Sequence, residues 1–184
     1  MMTPQKLNAM KILTEEYKRL TEAPMVTFGI TVGLFNADNI FEWKCTLLGP
    51  KDTCYKGGIF FLKITFPFDY PNSKPEIVFL TPIYHLNVLY ANTQKHPLGH
   101  ICVNTLNEWK PGDSIIRILP QLFTLMYKNN PASPFDDNRL SRKNEFNNNH
   151  ALFIKKAEYF TKKYASSSEY PEYKNNWDFT YKNN

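Results

Sequence analysis

The sequence predicts an α+β fold in which a four-stranded antiparallel meander is flanked by an N-terminal helix and C-terminal helices. Three observations support this. Apolar residues recur at helical spacing over residues 7 to 20. Residues 26 to 80 hold runs rich in β-branched and aromatic residues, separated by turn-forming clusters. Helical spacing then returns after residue 113 and persists to about residue 165.

Thr3 and Pro4 supply a cap and a first-turn proline for the first helix. Leu7, Met10, Leu13, Tyr17 and Leu20 form its apolar stripe, and Pro24 ends it. Strands are expected at Val26–Leu34, Ile40–Leu48 and Ile59–Phe66, with a fourth at residues 76–80. In the third, Phe60, Leu62, Ile64 and Phe66 share one face, while Lys63 and Thr65 share the other. Short turns between the runs favour antiparallel pairing. Tyr70-Pro71, in the link "FPFDYPNSKP", is a candidate cis bond.

From Thr81 to Gly112 no periodicity lasts long enough for a regular element, and so long a loop inside a domain tends to be functional. Asp113 or Ser114 then caps a helix with Ile115, Leu119, Leu122 and Met126 on one face. Pro120 either kinks that helix or marks where its regular part begins. The last helix has Leu152, Ala157, Phe160 and Tyr164 as its expected buried side, after a break at Asn147–Asn149. The tail from residue 166 carries Tyr170, Tyr173, Trp177, Phe179 and Tyr181 without periodicity and reads as a mobile appendage rather than a docking peptide.

With 42% hydrophobic and 15% aromatic residues in 184, the chain can bury a real core. Lys63 interrupts the strongest apolar run, so no membrane span is expected. The N-terminus lacks the apolar centre of a secretory signal. Cys45, Cys54 and Cys102 are an odd number at unrelated spacings, which excludes full internal pairing, and no close Cys-x-x-Cys pair suggests zinc. A reducing compartment, cytoplasm or nucleus, is expected. The net charge of +5 is spread along the chain, so a mildly acidic protein partner is favoured over nucleic acid.

Cys45 lies in a strand and reads as a small buried hydrophobe. Cys54 lies in a turn cluster and is expected to be exposed, with nothing around it to activate it. Cys102 lies in the long irregular segment near His85, Asn87 and His100. His100 could serve it as a hydrolase base, two residues away on an extended chain. Alternatively Cys102 exchanges acyl groups between thiols. That reaction needs no strongly depressed pKa, since an ordinary thiol near 8.5 supplies a few per cent thiolate. It gains from an amide donor such as Asn87 at the developing oxyanion.

The stretch "FEWKCTLLGPKDTCYKGGIFFLKITFPFDYPNSKPEIVFLTPIYHLNV", followed by "GHICVNTLNEWKPGDSI", resembles the ubiquitin-conjugating enzyme family over roughly residues 10 to 165. The ordered matches are Gly49-Pro50, Tyr-x-Gly-Gly at 55–58, Tyr70-Pro71, Pro75, His-x-Asn at 85–87, Gly-x-Ile-Cys at 99–102 and Trp-x-Pro at 109–111. The resemblance implies that Cys102 receives ubiquitin or a ubiquitin-like modifier as a thioester from an activating enzyme. The modifier then passes to a substrate lysine, usually with a ubiquitin ligase. It implies no metal or small-molecule cofactor, because ATP is used upstream by the activating enzyme. Asn87 takes an oxyanion-stabilising or loop-ordering role, and Lys11, Asn72 and Pro111 mark the ligase- or activating-enzyme-binding surface. Residues 1–165 would be the catalytic core, and 166–184 a polar tail containing aromatics.

The chain also departs from the family pattern. His85-Leu86-Asn87 replaces His-Pro-Asn, and loss of the proline is expected to loosen the placement of Asn87. "VLYANTQKHPLGHI" between Asn87 and Cys102 is longer than is common; it either shields the thioester, selects a partner or is a tolerated surface insertion. Asn104 stands where many members carry aspartate. Ser133 stands where many place an acidic residue near the incoming lysine, and Ser133-Pro134 could regain that charge through a proline-directed kinase. Two rival readings remain: a catalytically silent ubiquitin-binding relative, and a cysteine hydrolase using His100.

Overall fold

The computed structural model describes residues 2–101, 109–129, 142–172 and 176–181. Its elements run α1 (Pro4–Glu22), a single 3₁₀ turn (Val26–Phe28), β1 (Ile30–Asn36), β2 (Asn39–Leu48), β3 (Ile59–Thr65), β4 (Glu76–Phe79), α2 (Ile115–Tyr127), α3 (Arg142–Asn148) and α4 (His150–Tyr164). The strands lie in sequence order, each antiparallel to the next. This is the α+β meander the patterning predicts.

The Thr3 hydroxyl accepts from the Lys6 amide at 3.2 Å, and Pro4 opens α1. The buried stripe is Ala9, Leu13, Glu16 and Leu20, so Leu7 of the predicted stripe lies outside it, at the surface. The predicted strand start at Val26 is also corrected. The Val26 amide bonds back to the Pro24 carbonyl at 2.8 Å, and Gly29 turns left-handed at φ +59°. Val26 is left 76% exposed, and β1 begins at Ile30. Pro24 and Gly29 here override the β-propensity of Val26 and Phe28.

One face of the sheet carries Trp43, Cys45, Leu47, Phe60, Leu62 and Ile64 into the core. Gly49 belongs to the Gly-Pro turn for a steric reason: a Cβ there would sit 1.7 Å from the Tyr55 carbonyl oxygen. The Gly49 amide donates to the Gly58 carbonyl at 2.8 Å, and the Ile59 amide donates to the Ala165 carbonyl at 2.8 Å, so the loop is drawn against the end of α4. Cys54 is therefore buried rather than exposed.

Ser114 caps α2, accepting from the Ile116 amide at 3.1 Å. The helix runs through Pro120, so its regular part begins well before that residue. Asn149 caps α4 and separates it from α3, as the asparagine run predicts. On α4 the buried residue is Phe153, one position beyond the predicted Leu152, with Ala157 and Phe160.

Residues beyond Ala165 correct the expectation of a free tail. The Tyr170 hydroxyl donates to the Leu62 carbonyl at 2.8 Å, and its ring meets Phe61 at 5.0 Å on the outer sheet face. Phe179 is 9% exposed, with its ring 4.8 Å from Phe160 and 5.5 Å from Tyr84. Tyr70-Pro71 is cis. Among the described residues no helix is long and apolar enough to cross a membrane.

Candidate active site

The His85-Leu86-Asn87 tripeptide is fully buried, and side chains hold it at the His85 carbonyl, the Leu86 amide and the Asn87 amide. The Asn87 amide donates to His85 Nδ1 at 3.0 Å. Because that amide can only donate, the imidazole carries its proton on Nε2, which donates to the Leu125 carbonyl at 3.0 Å. Burial pushes the His85 pKa down to about 4; the Leu125 carbonyl works against this and the Arg142 charge adds to it. His85 is therefore a neutral structural clamp, with both ring nitrogens committed.

The expected loosening at Leu86 does not occur. Leu86 has the N–H that a proline would lack, and it donates to Asn129 Oδ1 at 3.1 Å. Asn129 follows α2 in the chain, so the end of that helix holds the tripeptide on one side. On the other side stands Arg142, at the start of α3. Its guanidinium donates to the His85 carbonyl at 2.5 Å and to the Val88 carbonyl at 3.0 Å. It also lies over the Tyr90 ring at 4.2 Å. A buried guanidinium is tolerated where its donors are used, and here they bracket Asn87.

An antiparallel bridge pairs Val88 with Ile101. It brings the residue after Asn87 beside the residue that precedes Cys102. Gly99, with φ +83°, lets the same segment close onto β4, since a Cβ there would stand 2.0 Å from the Phe79 carbonyl oxygen. Cys102, Asn104 and Ser133 lie outside the described residues. Cys45 and Cys54 are buried, and burial raises their thiol pKa values to about 12 and about 11. Neither supplies a useful thiolate near neutral pH.

His100, the candidate hydrolase base, is buried, with Nδ1 3.6 Å from Glu76 Oε1 and its ring stacked on His96 at 4.1 Å.

Lys11, Asn72 and Pro111 are all exposed, on α1 and on two loops that are tied to each other and to the helix. The Trp109 indole and the Gly112 amide both donate to the Pro71 carbonyl, at 3.0 and 3.1 Å, which joins the Trp-x-Pro loop to the Tyr-Pro loop. The Tyr70 hydroxyl donates to Glu16 Oε2 at 2.7 Å and accepts from the Ile115 amide at 2.9 Å. The Ser114 hydroxyl donates to the other Glu16 oxygen. Glu16 is thus the buried polar member of the α1 stripe, binding the helix to both loops.

Sequence reasoning missed four residues here. Asn129 and Arg142 act from distant elements with no local motif. Glu16 sits at a helical spacing that the apolar pattern skips. Phe68 is 58% exposed beside these loops, with the Lys6 ammonium 4.1 Å from its ring centre; composition alone would place that aromatic in the core.

Comparison with known proteins agrees with this fold. The sequence profile of the ubiquitin-conjugating enzymes matches residues 12–161. The chain is 35% identical over 133 residues to "Ubiquitin-conjugating enzyme E2" of African swine fever virus (strain Badajoz 1971 Vero-adapted), covering 67% of this chain and 57% of that protein. It is 36% identical over 135 residues to the Arabidopsis thaliana protein "Probable ubiquitin-conjugating enzyme E2 31", covering 72% and 80%. The match thus spans little more than half of the viral relative. A crystal structure from Plasmodium yoelii, assigned to the ubiquitin conjugating enzymes, superposes with a TM-score of 0.71 at 34% identity, covering 90% of this chain and 97% of the other. With a profile match over most of its length, the chain belongs to the ubiquitin-conjugating enzyme family, a family of transferases.

Proposed function

We propose that this protein accepts ubiquitin or a ubiquitin-like modifier as a thioester on Cys102 and passes it to substrate lysines. The Cys102 thiolate attacks the modifier's C-terminal carbonyl in the activating enzyme's thioester and expels that enzyme's thiolate. One thioester replaces another, so no further energy input is needed. A neutral lysine amine then attacks the carbonyl, the oxyanion collapses, Cys102 leaves as thiolate and the amine proton goes to solvent. Asn87 supplies the amide for that oxyanion. The observation that carries this reading is the clamped tripeptide: His85, Asn129 and Arg142 fix Asn87 beside the strand pairing that leads into Cys102.

Residues 1–165 form the catalytic core in this reading, and 166–184 an aromatic-bearing tail whose Tyr170 and Phe179 pack onto it. Lys11, Asn72 and Pro111, with Phe68 beside them, receive the activating enzyme and the ligase in turn. Ser133 gates the incoming lysine and Asn104 lines the approach. The protein works in the cytoplasm or nucleus.

Charging the chain with activating enzyme, ATP and modifier, then chasing with free lysine, tests this. Wild type should charge and discharge. Asn87→Ala should charge but discharge about 10²–10³ times more slowly, the loss expected for one oxyanion donor. Failure to charge with any modifier would support the silent-relative reading, and cleavage of modifier esters without charging would support the hydrolase.

A further inference from the structure

The stretch between Asn87 and Cys102 brings a donor set of its own to the edge of the sheet. His96, His100 and Glu76 each bring one ligand-capable atom within 4.8 Å of the others. Among the described residues this is the one such group. It joins two imidazoles from the long segment to a carboxylate at the start of β4.

The backbone under these side chains is firmly tied. His100 pairs with Val78 of β4, and its carbonyl accepts from the Leu89 amide at 2.9 Å. The neighbouring Gly99 carbonyl accepts from the Phe79 amide at 2.8 Å. His96 closes a turn around Thr93, whose hydroxyl accepts from the His96 amide at 2.9 Å and donates to the His96 carbonyl at 3.1 Å. The Glu76 side chain is 45% exposed, and its Oε1 lies 3.6 Å from His100 Nδ1. The two imidazole rings are stacked, 4.1 Å between centres and 16° between planes, so one of them must turn for both to aim a nitrogen at a common ion, and His96 is the more exposed of the two.

We propose that Glu76, His96 and His100 bind a zinc ion that fastens the segment between Asn87 and Cys102 to β4. Zinc bonds of about 2.0–2.1 Å put tetrahedral ligand atoms about 3.4 Å apart, so the set needs to contract by about 1.4 Å at most. Rotation of the His96 ring out of its stack, with adjustment of the Glu76 side chain, provides that. Two imidazoles and one carboxylate suit zinc or a neighbouring transition metal rather than magnesium or calcium, which prefer all-oxygen shells. Three protein ligands leave one position for water, the usual arrangement of an open zinc site. The site stands apart from the conjugation reading, because it uses neither Asn87 nor Cys102.

Titration of the full-length, chelator-stripped chain with Zn²⁺, read by calorimetry, tests the proposal. One ion per chain is expected at micromolar or tighter affinity, with a raised melting temperature. His96→Ala and Glu76→Gln should each weaken binding at least about tenfold while folding as wild type by circular dichroism. Cys102→Ala should bind as wild type, and Co²⁺ in place of Zn²⁺ should give a tetrahedral visible spectrum without a thiolate charge-transfer band. The proposal is overturned if no saturable micromolar binding occurs, if His96→Ala keeps full affinity, or if Cys102→Ala abolishes binding. Each outcome is read without any modifier or activating enzyme, so failure here is separate from failure of the conjugation reading.

Discussion

The Arg142 guanidinium, at the first turn of α3, donates to the His85 carbonyl at 2.5 Å across 57 residues of sequence. Arg142→Met removes this bond and the one to Val88, leaving two buried carbonyls without those donors. Each such loss costs about 1–3 kcal/mol. We expect unfolding in urea to show a loss of about 2–6 kcal/mol, and lysine discharge to slow because Asn87 is less well placed. Arg142→Lys should recover only part of this, since an ammonium cannot span both carbonyls as the planar fork does. Unchanged stability in Arg142→Met would show that the clamp is dispensable.

A proline at position 86 should harm this protein. Leu86→Pro deletes the N–H that Asn129 accepts and trims a fully buried side chain. The two losses together come to about 2–4 kcal/mol. Asn129→Ala alone should cost about 1–3 kcal/mol by stranding the Leu86 amide. The double variant should fall short of the sum, because both changes delete the same hydrogen bond. Strict additivity in a denaturant cycle would refute the coupling.

Acid should weaken the fold through His85. Its folded pKa is about 4, below the ordinary 6.5, so between those values the unfolded chain binds the extra proton. The contribution is fully present above about pH 6.5 and fades as the pH falls toward 4, by about 3 kcal/mol in all. Stability measured across that window should show this slope in wild type and a flatter one in His85→Gln. Equal slopes would assign the acid sensitivity elsewhere.

The packed tail should contribute to stability. Phe179→Ala opens the space against Tyr84 and Phe160 and should lower stability by about 2–4 kcal/mol, discounted from a central-core phenylalanine because the site lies at the surface. Thermal melts of this variant and of a chain ending at residue 172 should show similar losses. A truncated chain that melts as wild type would return these residues to the status of a free appendage.

What the sequence revealed and what it hid divide along physical lines. Periodicity reports burial within one element, so the α2 face and the alternation of β3 were readable. Turn chemistry is local too, and Thr3, Ser114 and Asn149 cap the helices much as their residue types suggest. Phase errors arose where a polar residue joined a buried stripe, as Glu16 does by meeting Tyr70 and Ser114, neither of which is near it in the chain. Cys54 looked exposed because turn clusters usually are; the Ile59–Ala165 hydrogen bond that draws its loop inward is a tertiary fact. At the site, the His-x-Asn spacing marks His85 and Asn87 from the sequence alone. Asn129 and Arg142 were not, since nothing in their neighbours announces a partner some 40 to 60 residues away.

The most direct test is intact-mass spectrometry of the chain after incubation with activating enzyme, ATP and ubiquitin or another modifier. The account predicts a mass gain of one modifier, mapped to residue 102, reversed by thiol reductant and absent from Cys102→Ala. A reductant-resistant adduct on another residue, or no adduct with any modifier that charges a control conjugating enzyme, would contradict it.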